Sequence, residues 1–149
     1  MFMPEAKNPT RKKKSRKTPF NILIADDSVL LRKRLIALLN ENNWKGHIFE
    51  SRDVPTTLAA LKKHHPHVII LDLNMPGGGG YRALKQIKSA EQTPVVIVFT
   101  NYPHSVYRER CRAAGAEYFL DKSSEFGLIP GLLAGIYKNT IVKLAALKG

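Results

Sequence analysis

The chain is 149 residues long, enough for one domain with a substantial core. Its formal net charge is +12 and its one cysteine, Cys111, excludes an internal disulfide or a cysteine-rich zinc cluster. No apolar stretch approaches the length of a membrane span, and the basic amino terminus lacks the apolar segment of a secretory signal.

The charge is unevenly spread. Met1 to Pro19 hold Lys7, Arg11, Lys12, Lys13, Lys14, Arg16 and Lys17 against Glu5, a surplus of +6. With prolines near both ends and no apolar periodicity, residues 1–19 are expected to be a disordered tail, and the folded domain to run from residue 20 to 149. Such a tail is either a solvated arm or a hold on an anionic partner: nucleic acid, an acidic protein or a membrane surface.

Asn21 to Ala25 is short and apolar and leads into Asp26, Asp27 and Ser28. This spacing predicts a buried strand, then a helix capped by Asp27 or Ser28 with Leu31, Leu35, Ile36, Leu38 and Leu39 inward. Trp44 is placed to cover one end of the core. His47 to Glu50 read as a weaker strand, followed by a helix from about Thr56 to His64. His64, His65 and His67 straddle Pro66, which breaks the helical spacing that paired metal ligands need, so a turn is the better reading.

Val68 to Leu71 is a continuous apolar run that ends in Asp72. It reads as a strand buried on both faces, stopped by Pro76 and the glycines Gly77 to Gly80. Those glycines match neither the Walker nor the dinucleotide pattern and are expected to form a flexible connection. Tyr81 to Ser89 should be helical. Pro94 to Phe99 is another buried strand and ends in Thr100. A helix from Ser105 to Ala114 carries Arg108, Arg110 and Arg112, with Gly115 as its carboxyl cap. Glu117 to Leu120 form the last strand, ending in Asp121 and Lys122. Ser123 or Ser124 should open the final helix, with Pro130 in or near a first turn and Ile129, Leu132, Leu133, Ile136, Tyr137, Ile141 and Leu144 packed on the sheet.

Strand then helix, five times over, predicts an α/β fold: a doubly wound three-layer sandwich around a five-stranded parallel sheet. In such a sheet all carboxyl ends share one edge, which gathers Asp26, Asp27, Asp72, Thr100 and Lys122. Strand two contributes nothing comparable, as the flavodoxin-like order 2-1-3-4-5 would have it. Carboxylates about 4 Å apart repel by on the order of 4 kcal/mol at an effective dielectric of about 20. A hard divalent ion such as Mg²⁺, together with the Lys122 ammonium, offsets this and makes a site for a transferred phosphoryl group.

These residues carry a family resemblance. Asp26-Asp27-Ser28, the segment Leu71 to Gly77, Thr100 and Asp121-Lys122 together resemble a response-regulator receiver domain of two-component signalling, over residues 20–149 and of the single-domain chemotaxis type. The resemblance implies that Asp72 accepts a phosphoryl group from a sensor histidine kinase or histidine phosphotransfer protein. Asp26, Asp27, Asp72 and the backbone carbonyl of Asn74 would hold Mg²⁺. Thr100 and Lys122 would contact the phosphoryl group, and Thr100 with Phe119 would form the switch read by a downstream protein on the face of the fourth helix, fifth strand and fifth helix. A cytoplasmic signalling phospho-acceptor is implied, acting as an enzyme on nothing but its own phosphorylation.

The chain departs from the family at Ser123, where a proline is common, and at Tyr102, whose bulk is expected to slow hydrolysis of the acyl phosphate. A phosphatase of the haloacid dehalogenase type would need a second acid where Asn74 stands. The alternative from another class is a nucleic-acid-binding module on the same scaffold, using the basic tail with Arg108, Arg110 and Arg112.

Overall fold

The computed structural model describes residues 20–77, 79–101 and 105–147. The basic tail, Tyr102 and Gly78 lie outside the described residues, and with them the expectations placed on the tail and on Tyr102.

Strands β1 (Ile22–Ala25), β2 (Ile48–Ser51), β3 (Val68–Leu71), β4 (Val95–Thr100) and β5 (Tyr118–Asp121) form one parallel sheet in the order β2-β1-β3-β4-β5. The order is the flavodoxin-like one. Ile22 aligns with Val68 across the β1–β3 pair, and Thr100 with Asp121 across β4–β5. Every strand therefore ends along the same edge.

Alternation along each strand feeds two cores. Ile22, Ile24, Val68, Ile70, Ile97 and Phe99 face α1 (Val29–Glu41) and α5 (Ile129–Leu147), where Leu35, Leu39, Ile129, Leu133 and Ile136 are buried against them. Leu23, Ala25, Ile69, Leu71, Val96 and Val98 face α2 (Val54–His64), α3 (Gly80–Lys88) and α4 (Ser105–Ala113). Two covered faces are the reason the central strands are uninterrupted apolar runs rather than alternating ones.

Several boundaries differ from the sequence expectation, each for a local reason. Helix α2 starts at Val54 rather than near Thr56, because Asp53 caps it in a reciprocal box with Thr56 and Pro55 sits in the first turn, where no N–H is needed. Ser123 and Ser124 do not open the last helix. Their hydroxyls donate to the Asp121 carboxylate at 2.8 and 3.1 Å, and a 3-10 turn at Phe126–Leu128 intervenes before α5. Ile141 and Leu144 were expected against the sheet but are 36% and 38% exposed, since α5 is longer than the short strands it covers.

The three imidazoles go to three places. His64 stacks on Phe49 at 3.8 Å, His65 takes the left-handed cap of α2 (φ 45°), and His67 stacks on Phe20 at 4.8 Å while its Nδ1 accepts the Asn21 N–H. Trp44 does cover an end of the core, edge-on to Phe20 at 5.6 Å.

Candidate functional site

Asp26 and Asp72 stand one residue past the ends of β1 and β3. The sheet's hydrogen bonding continues just beyond the strands. The Asp72 N–H donates to the Ala25 carbonyl at 2.9 Å, the Asp26 N–H to the Ser51 carbonyl at 3.0 Å and the Lys122 N–H to the Thr100 carbonyl at 3.0 Å. Main-chain bonds thus set the side-chain positions before any side chain interacts.

Gly80 tightens the loop after β3. Its N–H donates to the Leu73 carbonyl at 2.9 Å, and a Cβ there would lie 2.6 Å from the Asp72 carbonyl oxygen. Gly77 and Gly79 hold φ of 91° and 83°, and the Pro76 carbonyl accepts the N–H of Val54 at 3.0 Å. The described glycines therefore make a shaped turn with backbone angles that favour glycine, rather than a merely loose connection.

At the edge itself, the Lys122 ammonium lies 2.6 Å from Asp26 Oδ2 and 3.2 Å from Asp72 Oδ2. All three side chains are nearly buried, at 11%, 3% and 5% exposure. A cation bridging two buried carboxylates offsets their repulsion in a place where water cannot. The remaining Asp26 oxygen accepts the Ser28 N–H at 2.8 Å, and Asp72 Oδ1 accepts the Asn74 N–H at 3.1 Å. Burial pushes the Asp72 carboxyl above the usual carboxylate range. The Asn74 N–H and Lys122 pull it back down, and Asp26 pushes it up. The exposed Asp27 completes the acidic trio, with one oxygen from each of Asp26, Asp27 and Asp72 within 4.8 Å of the others. Three all-oxygen donors converging this closely suit a hard divalent cation.

Thr100 is fully buried at the end of β4. Phe119 is partly buried on β5, packed toward the core under α2, α3 and α4, with the Arg108 guanidinium 5.4 Å from its ring centre. Of the residues singled out from sequence, the structure brings Asp26, Asp27, Asp72 and Lys122 into one cluster and sets Thr100 beside the β5 strand that leads to Lys122. Phe119 stands apart, on the α4 side. Asn74 is exposed, with its N–H committed to Asp72.

Sequence reasoning missed Arg32. Its Nη1 donates to the Asp26 carbonyl at 2.6 Å and its Nε pairs with Glu50 at 3.0 Å, tying the acidic turn to α1 and to β2. The signal available was an arginine in the first turn of the helix that follows the Asp26-Asp27 pair, which a surface reading of charges passes over. Asp121, a strand-end acid, organises the β5–α5 loop through Ser123 and Ser124, and those bonds hold its carboxyl below the usual range.

The model of the response regulator receiver domain matches residues 22–132. The chain belongs to that family. It is 30% identical over 132 residues to the transcriptional regulatory protein PdtaR of Mycobacterium tuberculosis (strain ATCC 25618 / H37Rv), covering 88% of this chain and 62% of that protein. The signal receiver domain of a DNA binding response regulator protein (merR) from Colwellia psychrerythraea 34H superposes with a TM-score of 0.75 at 26% identity, covering 80% of this chain and 98% of that one. The Mn(2+)-bound form of response regulator Rcp1 superposes with a TM-score of 0.69 at 22% identity, covering 76% and 91%. The chain spans between 51% and 60% of the length of curated relatives such as the fimbriae Z proteins and YdfI of Bacillus subtilis (strain 168). Receivers bind a divalent metal in an acidic pocket, and the Asp26, Asp27 and Asp72 trio of this one is compatible with that role.

Proposed function

We propose that this receiver accepts a phosphoryl group on Asp72 from a phosphohistidine of a sensor histidine kinase or histidine phosphotransfer protein. It then signals through protein contact. The observation that carries this is the Lys122 ammonium held between the two buried carboxylates of Asp26 and Asp72, at the one edge where Thr100 also ends its strand.

In the transfer, an Asp72 carboxylate oxygen forms a bond to phosphorus as the phosphorus–nitrogen bond breaks, and the departing imidazole nitrogen keeps the electron pair. The nucleophile has to be ionised, which Lys122 and the Asn74 N–H favour against the cost of burial. Lys122 is placed to follow the charge onto the phosphoryl oxygens. A divalent ion held by Asp26, Asp27, Asp72 and the Asn74 carbonyl, for which we take Mg²⁺, would supply the remaining charge neutralisation. The Mn(2+) of the Rcp1 structure supports a metal on this fold. Water later attacks phosphorus, releases inorganic phosphate and restores the carboxylate, so the chain turns over its own phosphoryl group and no outside metabolite.

The new acyl phosphate brings roughly two negative charges and three acceptor oxygens, enough to draw the Thr100 hydroxyl to it. Phe119 then settles differently beside β4 and shifts its contact with Arg108, altering the face made by α4, β5 and α5 that the downstream protein reads. The division into a basic segment 1–19 and a receiver 20–149 belongs to the same reading, as does a site of action in the cytoplasm. Among the described residues no helix is long and apolar enough to cross a membrane.

Intact-mass spectrometry after incubation with acetyl phosphate and Mg²⁺ tests the assignment. The wild-type chain should gain one phosphoryl group and Asp72→Asn none. An adduct that survives in the variant, or one that forms equally well with the metal chelated, overturns it.

A further inference from the structure

Residues 20–147 contain 16 Lys and Arg against 11 Asp and Glu, a surplus of five. Six of those cations and one of those acids lie on α3 and α4: Arg82, Lys85, Lys88, Arg108, Arg110 and Arg112 against Glu109. The ten cations and ten acids elsewhere cancel, so the whole surplus of the described domain sits on these two neighbouring helices. Lys88 is spent internally, on Glu117 and on the Pro94 carbonyl at 2.9 Å. The other five cations are exposed.

The two helices form one surface. Tyr81 of α3 has Lys85 of its own helix 5.0 Å from its ring centre and Arg110 of α4 4.6 Å from it. One ring therefore gathers two cations from two helices and holds them in place. Cations gathered in this way repel, and an anion lying across them relieves that repulsion. Four of the five exposed cations are arginines, whose planar fork matches phosphate oxygens in pairs.

We infer that the α3–α4 face binds the sugar–phosphate backbone of nucleic acid. The contact is made through charge. The cations are spread over two helix surfaces with no base-reading motif among them, so the binding is independent of base sequence. It rests on the charge distribution and not on the phosphoryl site.

Fluorescence anisotropy with a short, labelled, mixed-sequence DNA duplex tests this on the full chain. Affinity should fall steeply between about 50 and 200 mM salt, as counterion release requires. The face variant Arg82→Gln, Lys85→Gln, Arg110→Gln, Arg112→Gln should bind about tenfold or more weakly and flatten the logarithmic salt slope by about three. A control set of four exposed cations on other helices, Lys33→Gln, Arg34→Gln, Lys62→Gln and Lys63→Gln, should stay within about twofold of wild type. Arg112→Glu alone, a single exposed change, should weaken binding in the same direction if the four-site variant folds poorly. Equal losses in the face and control variants, or an unchanged face variant, overturn the inference and leave net charge or the tail as the cause. Phosphatidylglycerol vesicles that bind this face while the duplex does not also overturn it, in favour of a membrane surface.

Discussion

The two ends of the same sheet are closed in opposite ways. At the start of the strands, Phe20, Trp44 and Tyr137 meet edge-on, with ring centres 5.3 to 6.3 Å apart, and His67 stacks on Phe20 at 4.8 Å. At the finish, the buried Asp26 and Asp72 side chains meet the nearly buried Lys122 ammonium. An aromatic plug gains by excluding water, although here it leaves the Trp44 indole N–H buried without a partner. A plug of charges is costly to desolvate and only breaks even when every partner is present, which makes it responsive to a change of one charge. On the proposed reading, stability belongs to the first end and switching to the second.

Removing the cation should produce the largest effect. Lys122→Met leaves two buried carboxylates facing each other, and phosphorylation by acetyl phosphate should slow by about a hundredfold, the scale of losing one preorganised charge-stabilising group. The same change removes one influence that holds the Asp72 carboxyl down. A variant labelled at the wild-type rate breaks the comparison, because the charged plug would then be packing alone.

Phe20→Ala should do the reverse. Phe20 is 4% exposed and touches three rings, and its loss should cost about 3 kcal/mol in urea unfolding. At temperatures where the variant is still folded, its phosphorylation rate should match wild type. A slowed rate would mean that the two ends are coupled through β1.

A smaller effect is expected at Asp53, the cap of α2. Thr56, through its hydroxyl and then its backbone N–H, holds the Asp53 carboxyl below its ordinary value of 3.8. A lowered carboxyl contributes stability that is present above pH 3.8 and is lost as pH falls through the folded-state value. Asp53→Ala should therefore lower the thermal midpoint at neutral pH, and the difference from wild type should shrink in acid. A constant difference at every pH would assign the effect to helix propensity instead of the charged cap.

His67 should give the smallest and most specific effect. Burial holds its imidazole below the ordinary 6.5, so the unfolded chain takes up a proton before the folded one. Its contribution is complete above pH 6.5 and declines as pH falls below that value. His67→Asn keeps an acceptor for the Asn21 N–H and should flatten the fall of the thermal midpoint between about pH 6.5 and 5. If the slope is unchanged, other groups carry it.

Much of this was legible from residues alone, and the failures have a common cause. The strands were readable because two covered faces demand unbroken apolar runs such as Val68 to Leu71, and the acids at their ends were readable because nothing else explains Asp26 and Asp72 there. Ser123 and Ser124 were misread because a serine before a helical pattern is an equally good partner for a nearby carboxylate, and Asp121 was closer. Ile141 and Leu144 were misread because a helical stripe reports amphipathicity and not the length of the sheet that receives it. Arg32 went unnoticed because its partners, Asp26 and Glu50, are joined only by the fold.

The sequence by itself determined the order of strands and helices, the parallel sheet and the identity of the chemical groups at its edge. Those follow from local periodicity and from the rule that parallel strands end together. Tertiary structure alone decided that Lys122 sits between Asp26 and Asp72, that Arg32 braces the turn and that the two cation-rich helices α3 and α4 form one surface. These depend on distances between residues far apart in the chain, and the charge on a residue does not record which neighbours the folded backbone will bring to it.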